Sequence, residues 1–162
     1  MRKRIALACS LLVVLNFSTV DAQVITGDSI FESLSSEPGN LARGRVIVAS
    51  RQTGLCLLCH NGPFPEERFQ GNLAPELKAS VARLNAPQLR ARIVNAAHFN
   101  PQTIMPAYYQ VDNLNRVAPK FTGQTILSGQ EIEDVIAFLI NLNNPNNWNT
   151  DEQRDSTTTT LA

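Results

Sequence analysis

The chain predicts an all-α domain wrapped round one prosthetic group, and three observations predict it. The first is Leu55-Cys56-Leu57-Leu58-Cys59-His60, two cysteines two residues apart with a histidine directly after the second. The second is Met105, the one methionine besides Met1, set in a loop between Pro101 and Pro106. The third is a series of stretches with helical spacing and cap residues, the clearest of them after Ser128.

The cysteine–histidine stretch has the C-x-x-C-H pattern of c-type haem attachment. Both thiols add across the haem vinyl groups, and the short spacer turns both sulfurs to the porphyrin edge. His60 then lies beneath the ring as the proximal iron ligand. One haem c is expected, and its iron wants a sixth ligand. Met105 supplies a soft, neutral thioether that favours ferrous iron and raises the reduction potential. Most methionines fill cores, but one placed before a proline in a polar loop is an odd filler. His98, at the end of a predicted helix, is the rival ligand.

At the N-terminus, Met1-Arg2-Lys3-Arg4 is a basic n-region and residues 5–20 are mostly apolar. With Val20-Asp21-Ala22 at its end, residues 1–22 read as a cleaved secretory signal rather than a membrane anchor. The apolar stretch ahead of Cys9 is too short for a lipoprotein signal. Cleavage leaves about 140 residues, enough for one domain with a modest core. Arg2, Lys3, Arg4 and Asp21 leave with the signal, so 14 basic and 14 acidic residues become 11 and 13. That mild negative balance gives no basis for a nucleic-acid or membrane-surface partner. No other stretch is fit to span a bilayer. Export to the periplasm is the expected address.

Residues 23–37 read as an N-terminal arm with one helical turn near 28–34. The folded domain is expected over 38–143, opened by Pro38-Gly39-Asn40. Asn40 is placed to cap a helix over 41–51, with Leu41, Val46, Ile47 and Ala49 apolar. Gly44 in its middle costs roughly 1 kcal/mol against alanine and suits a close helix approach. Residues 61–72 are a loop by their Pro and Gly content. A short helix is expected after Pro75, from Glu76 to Leu84, and another from Asn85 with Pro87 in its first turn. Leu89, Ile93, Val94 and Ala97 form the stripe of that helix, and Asn100-Pro101 ends it. A loop over 102–124 carries Met105. The last helix opens on the capping box Ser128-Gly129-Gln130-Glu131, and Ile132, Val135, Ile136, Leu139 and Leu142 repeat at helical spacing. The polar tail over 144–162 reads as mobile, anchored at most by Trp148.

Two other chemistries compete for the thiols. A thioredoxin-like pair belongs in a βαβ setting, which this sequence lacks. A zinc site wants four ligands. Without Cys9 the chain has two cysteines and two histidines, and His60 directly beside Cys59 is poorly placed for tetrahedral sharing. A disulfide between residues this close would close only a tiny loop and gain little.

Longer segments carry a resemblance. The order of attachment motif, methionine loop and C-terminal helix is similar to class I cytochromes c. Leu41-Ala42-Arg43-Gly44-Arg45, the run from Gly62 to Pro75 (Gly-Pro-Phe-Pro-Glu-Glu-Arg-Phe-Gln-Gly-Asn-Leu-Ala-Pro), Thr103-Ile104-Met105-Pro106-Ala107-Tyr108-Tyr109 and Glu131-Ile132-Glu133-Asp134-Val135 resemble the SoxX family. Those are monohaem cytochrome subunits of the Sox sulfur-oxidising system. The likeness spans about residues 39–142, and its most diagnostic part is the loop after the haem motif.

The resemblance implies a class I cytochrome c-like fold around one covalent haem, with the N- and C-terminal helices crossed where Gly44 meets Phe138. It implies Cys56 and Cys59 as attachment points and His60 and Met105 as axial ligands. Pro75 resembles the proline whose carbonyl accepts the proximal histidine's Nδ1 proton. The implied partners are a SoxA-like cytochrome in a periplasmic heterodimer and, through it, a SoxYZ-like carrier. The complex would be an L-cysteine S-thiosulfotransferase with its catalytic haem in the partner and no catalytic residue here. The alternatives are a free-standing periplasmic electron carrier or a thiol oxidoreductase. Phe64, Phe69, Tyr108 and Tyr109 are candidates for the haem surround or the partner face. The chain departs from the family at residues 76–81, where a glycine-containing run is usual, and is expected to be more helical there. His98 stands where the family more commonly has a basic residue.

Overall fold

A computed structural model of the chain describes residues 24–143. The leader expected over 1–22, the tail expected over 144–162 and Trp148 lie outside the described residues. Four α-helices are formed: α1 (Leu41–Ala49), α2 (Leu77–Val81), α3 (Ala86–Val94) and α4 (Gly129–Asn141). Among the described residues there is no strand, only an isolated bridge between Thr26 and Ser29. The domain is all-α. No described helix is long and apolar enough to cross a membrane.

α4 is the spine. Its capping box forms as the sequence predicts, with Ser128 accepting from the Glu131 N–H and Glu131 bonding back to the Ser128 N–H. Ile132, Val135, Ile136, Phe138 and Leu139 are all buried. α1 lies against it through Gly44, Ile47 and Val48. The approach is so close that a Cβ on Gly44 would run into the Asp134 carbonyl oxygen and stand 2.9 Å from Phe138 Cβ. Only glycine fits there. Asn40 caps α1, accepting from the Arg43 N–H at 2.9 Å. The helix ends at Ala49, two residues before the expected Arg51. Ser50 is extended (ψ 123°) and its hydroxyl accepts from the Thr53 N–H at 3.0 Å, so it opens a turn instead of continuing the helix.

α2 is shorter than the expected span from Glu76 to Leu84. Asn85 must be extended (ψ 174°) to cap α3, and it forms a full capping box with Gln88, so the preceding helix stops short. α3 breaks at Asn95 (φ −152°, ψ 88°) and a single 3₁₀ turn, Ala96–His98, follows. Ala97 is therefore exposed and leaves the apolar stripe assigned to it.

The N-terminal arm has no helical turn over 28–34. It is instead a strap of turns and bends. Ile30 is buried and its N–H donates to the Pro87 carbonyl at 3.0 Å. Arg90 donates to the Ile30 carbonyl at 2.8 Å, and the Leu34 N–H donates to Glu133 at 2.9 Å. Arg90 and Glu133, both buried, pair at 2.6 and 2.8 Å and join α3 to α4. One ion pair thus ties together the strap and two helices.

Candidate cofactor site

The attachment stretch is shaped by a strained residue. Leu55 takes a left-handed conformation (φ 61°, ψ 4°), one that side-chain-bearing residues rarely adopt. Its N–H donates to the Ser50 carbonyl at 2.9 Å, closing the turn that follows α1. A 3₁₀ turn, Cys56–Leu58, begins at once. The N–H groups of Cys59 and His60 both donate to the Cys56 carbonyl, at 3.2 and 2.9 Å. Winding the chain this way brings Cys56, Cys59 and His60 to the wall of one cavity of about 520 Å³.

Met105 and Pro75 line the same cavity. Val48 from α1, Leu127, and Val135 and Leu139 from α4 add apolar side chains to its lining. His60 Nδ1 lies 2.6 Å from the Pro75 carbonyl oxygen. A carbonyl only accepts, so Nδ1 holds the ring proton and Nε2 is left with its lone pair for a metal.

The methionine loop is fixed by Tyr108. Its N–H donates to the Ile93 carbonyl at 3.1 Å, and its own carbonyl accepts from Ile126 and Leu127 at 3.0 and 3.2 Å. Its hydroxyl donates to the Gly54 carbonyl at 2.6 Å, reaching across to the attachment turn. By sequence Tyr108 is a candidate for the haem surround or the partner face, and no local signal marks this tie. Met105 itself is half-buried, its N–H held by the Thr103 hydroxyl at 3.1 Å.

The other nominated residues separate. His98 is exposed, packs edge-on to Phe99, and borders a neighbouring cavity of about 670 Å³ rather than the one that holds His60. Met105 borders both. Phe64 belongs to neither the cavity wall nor an open face. It is buried against Phe138 with ring centroids 5.6 Å apart, because the loop turns inward there. Phe69 is 80% exposed. Tyr109 is half-buried and outside the cavity lining.

The donor set fits a flat apolar macrocycle carrying iron. It offers two thiols, one imidazole nitrogen with a free lone pair and one thioether, within an apolar lining. It does not suit zinc, for no group of three or more His, Cys, Asp or Glu side chains able to hold a metal occurs among the described residues. It also disfavours thiol exchange. Burial pushes the Cys56 thiol up to about 11, whereas reactive thiols need a lowered value.

A scan against family models gives no match, and a search of curated proteins gives none either. Among solved structures the chain is similar to the crystal structure of SoxXA from P. pantotrophus. It is 35% identical with a TM-score of 0.66, over 74% of this chain and 93% of the other. The chain belongs to the SoxX family. As a SoxX-family chain it is a cytochrome subunit of the Sox system, and the resemblance read in its post-motif loop is the one the structural match bears out.

Proposed function

We propose that this SoxX-family chain binds one haem c, attached through Cys56 and Cys59, with His60 and Met105 as the axial iron ligands. In this reading residues 38–143 form a class I cytochrome c domain whose first and last helices cross at Gly44. The observation that carries it is the convergence of Cys56, Cys59, His60 and Met105 on one apolar cavity, with His60 oriented by Pro75.

Each residue then has a distinct task. Pro75 holds the His60 ring by its Nδ1 proton, which fixes the ring plane and makes Nε2 more basic. The two thiols become thioethers, so the cofactor cannot leave. Val48, Val135 and Leu139 exclude water from the pocket and keep its dielectric low. Tyr108 holds the methionine loop at a set distance from the attachment turn. When bound, the haem supplies one-electron exchange at an iron whose potential the Met105 thioether raises.

In the complex, the chain pairs with a SoxA-like cytochrome in the periplasm, directed there by the leader over residues 1–22. The partner joins thiosulfate to a cysteine thiol of a SoxYZ-like carrier. That step makes an S–S bond and releases two electrons and a proton, and this subunit takes the electrons away. The chain thus serves an L-cysteine S-thiosulfotransferase as its electron-accepting subunit.

Denaturing mass spectrometry of the exported protein tests the core of this reading. The expected result is one covalent haem and no thiol left to alkylate. A colourless product with both Cys56 and Cys59 alkylated would overturn it. Co-purification with a second, larger cytochrome tests the partner separately, and a lone monomer would count against the heterodimer.

A further inference from the structure

The loop over residues 61–75 has no helix and no strand, yet it delivers the Pro75 carbonyl to within 2.6 Å of His60 Nδ1. Pro75 has no N–H of its own to bond and hold it there. Downstream, the Leu77 N–H donates to the Asn61 carbonyl at 2.9 Å and the Ser80 hydroxyl reaches the Pro75 carbonyl at 3.4 Å; the rest of the hold is upstream.

That upstream hold comes from one side chain and the residue after it. Gln70 turns its amide into the middle of the loop. Oε1 accepts from the Gly62 N–H at 2.7 Å, while Nε2 donates to the carbonyls of Phe64 and Glu67 at 2.9 and 3.1 Å. Three of the four bonds a glutamine amide can make are spent on loop backbone. Gly71 then lies flat on the attachment turn, its N–H donating to the Leu57 carbonyl at 2.8 Å. A Cβ there would stand 2.6 Å from Cys59 Cα. Ala74 follows, its N–H donating to the Cys59 carbonyl at 3.0 Å. Pro75 is the next residue. The ion pairs flanking this loop, Arg45–Glu66 and Arg51–Glu67, have partly exposed side chains and hold it only weakly.

We infer that Gln70 and Gly71 form a clamp that positions the Pro75 carbonyl against His60, making Gln70 a positioning residue for the proximal ligand. The inference rests on the haem reading above. Its consequence is electronic as well as structural. A firm Nδ1–H bond makes the imidazole a stronger donor and stabilises the oxidised iron. A slack clamp weakens that bond and raises the reduction potential.

The test uses the haem-loaded full protein. The readouts are solvent exchange of the His60 Nδ1 proton by paramagnetic NMR, and the midpoint potential. Gln70→Ala should speed that exchange at least tenfold and raise the potential. Gln70→Glu keeps the acceptor facing Gly62 but loses both donors, and should behave like Gln70→Ala. Phe69→Ala, one residue away and exposed, should change neither readout. A Gln70→Ala protein that holds its haem with unchanged His60 exchange and potential overturns the clamp. Should neither Gln70 variant retain haem, amide exchange in the wild type decides. Gly62 and Gly71 amides that exchange at least tenfold slower than that of Phe69 support the clamp, and equal rates overturn it. A wild-type chain without haem sinks the underlying reading, and mass spectrometry shows that before any variant is made.

Discussion

The Tyr108 hydroxyl donates to the Gly54 carbonyl at 2.6 Å, joining the loop that carries Met105 to the turn that carries Cys56. Both partners are buried. Burial pushes the tyrosine pKa well up, so the hydroxyl keeps its proton throughout the working range. In the chain with free thiols the same carbonyl also receives the Cys56 Sγ–H, at 3.3 Å. Thioether formation would remove that second donor and leave Tyr108 alone. Tyr108→Phe in the loaded protein should therefore cost about 1–3 kcal/mol, the penalty for stranding a buried acceptor. A denaturant titration measures it as a lower midpoint at unchanged slope. A loss under about 0.5 kcal/mol would mean that the carbonyl has found another partner.

Gly44→Ala sets two effects of opposite sign against each other. Helix propensity alone would stabilise α1 by about 1 kcal/mol. The added methyl, however, would strike the Asp134 carbonyl of α4 and crowd Phe138. Backbone cannot rotate away as a long side chain can, so the clash should win and destabilise by about 1–3 kcal/mol. Thermal or denaturant unfolding reads the sign directly. A variant more stable than wild type would show that the helices separate easily there.

How much of this was legible in the residues differs from element to element. The α4 capping box and the Asn85 cap were readable because each is a local pattern of three or four residues. The Cys56-to-His60 stretch stood out as a local pattern too. The strap over residues 24–34 was not, since its order comes from Arg90 and Pro87, some sixty positions away. Arg90 does stand three and four residues before Ile93 and Val94, so its place on the buried stripe was available. A charge there is ordinarily read as surface, and only its partner Glu133 makes burial tolerable. Gln70 was similarly hidden, because nothing local marks a side chain that bonds only to loop backbone. The likeness to the SoxX family in residues 62–75 was legible, but what that loop does physically was not.

The Arg90–Glu133 pair sets a definite pH response. Burial raises the Glu133 pKa, but the Arg90 guanidinium and the Leu34 N–H outweigh it, so the net value falls below its ordinary 4.5. A carboxylate with a lowered folded-state pKa contributes stability that is fully present above the unfolded value. That stability is lost as pH falls through the folded one. Glu133→Gln should thus flatten part of the loss of stability below about pH 4.5, while lowering stability at neutral pH by about 3–5 kcal/mol, because Arg90 is left buried and unpaired. Asp134, also lowered and bonded to Arg43 and the Asn40 N–H, keeps its own share of the acid limb. Denaturant unfolding at several pH values separates the two. Parallel stability curves for wild type and variant would contradict the assignment.

Met105→Ala tests the proposed sixth ligand. With the thioether gone, the loaded protein should lose the sulfur–iron charge-transfer band and show a lower reduction potential, since it is the thioether that favours ferrous iron. His98 gives the internal control. It is exposed and borders the neighbouring cavity rather than the one shared by His60 and Met105. His98→Ala should accordingly leave both band and potential as they are. The reverse pattern, a band that survives Met105→Ala and disappears in His98→Ala, would transfer the axial role to the histidine. It would also require the loop over residues 96–105 to rearrange in the loaded protein. Optical spectra of the two variants, each taken reduced and oxidised, distinguish these outcomes without any partner protein.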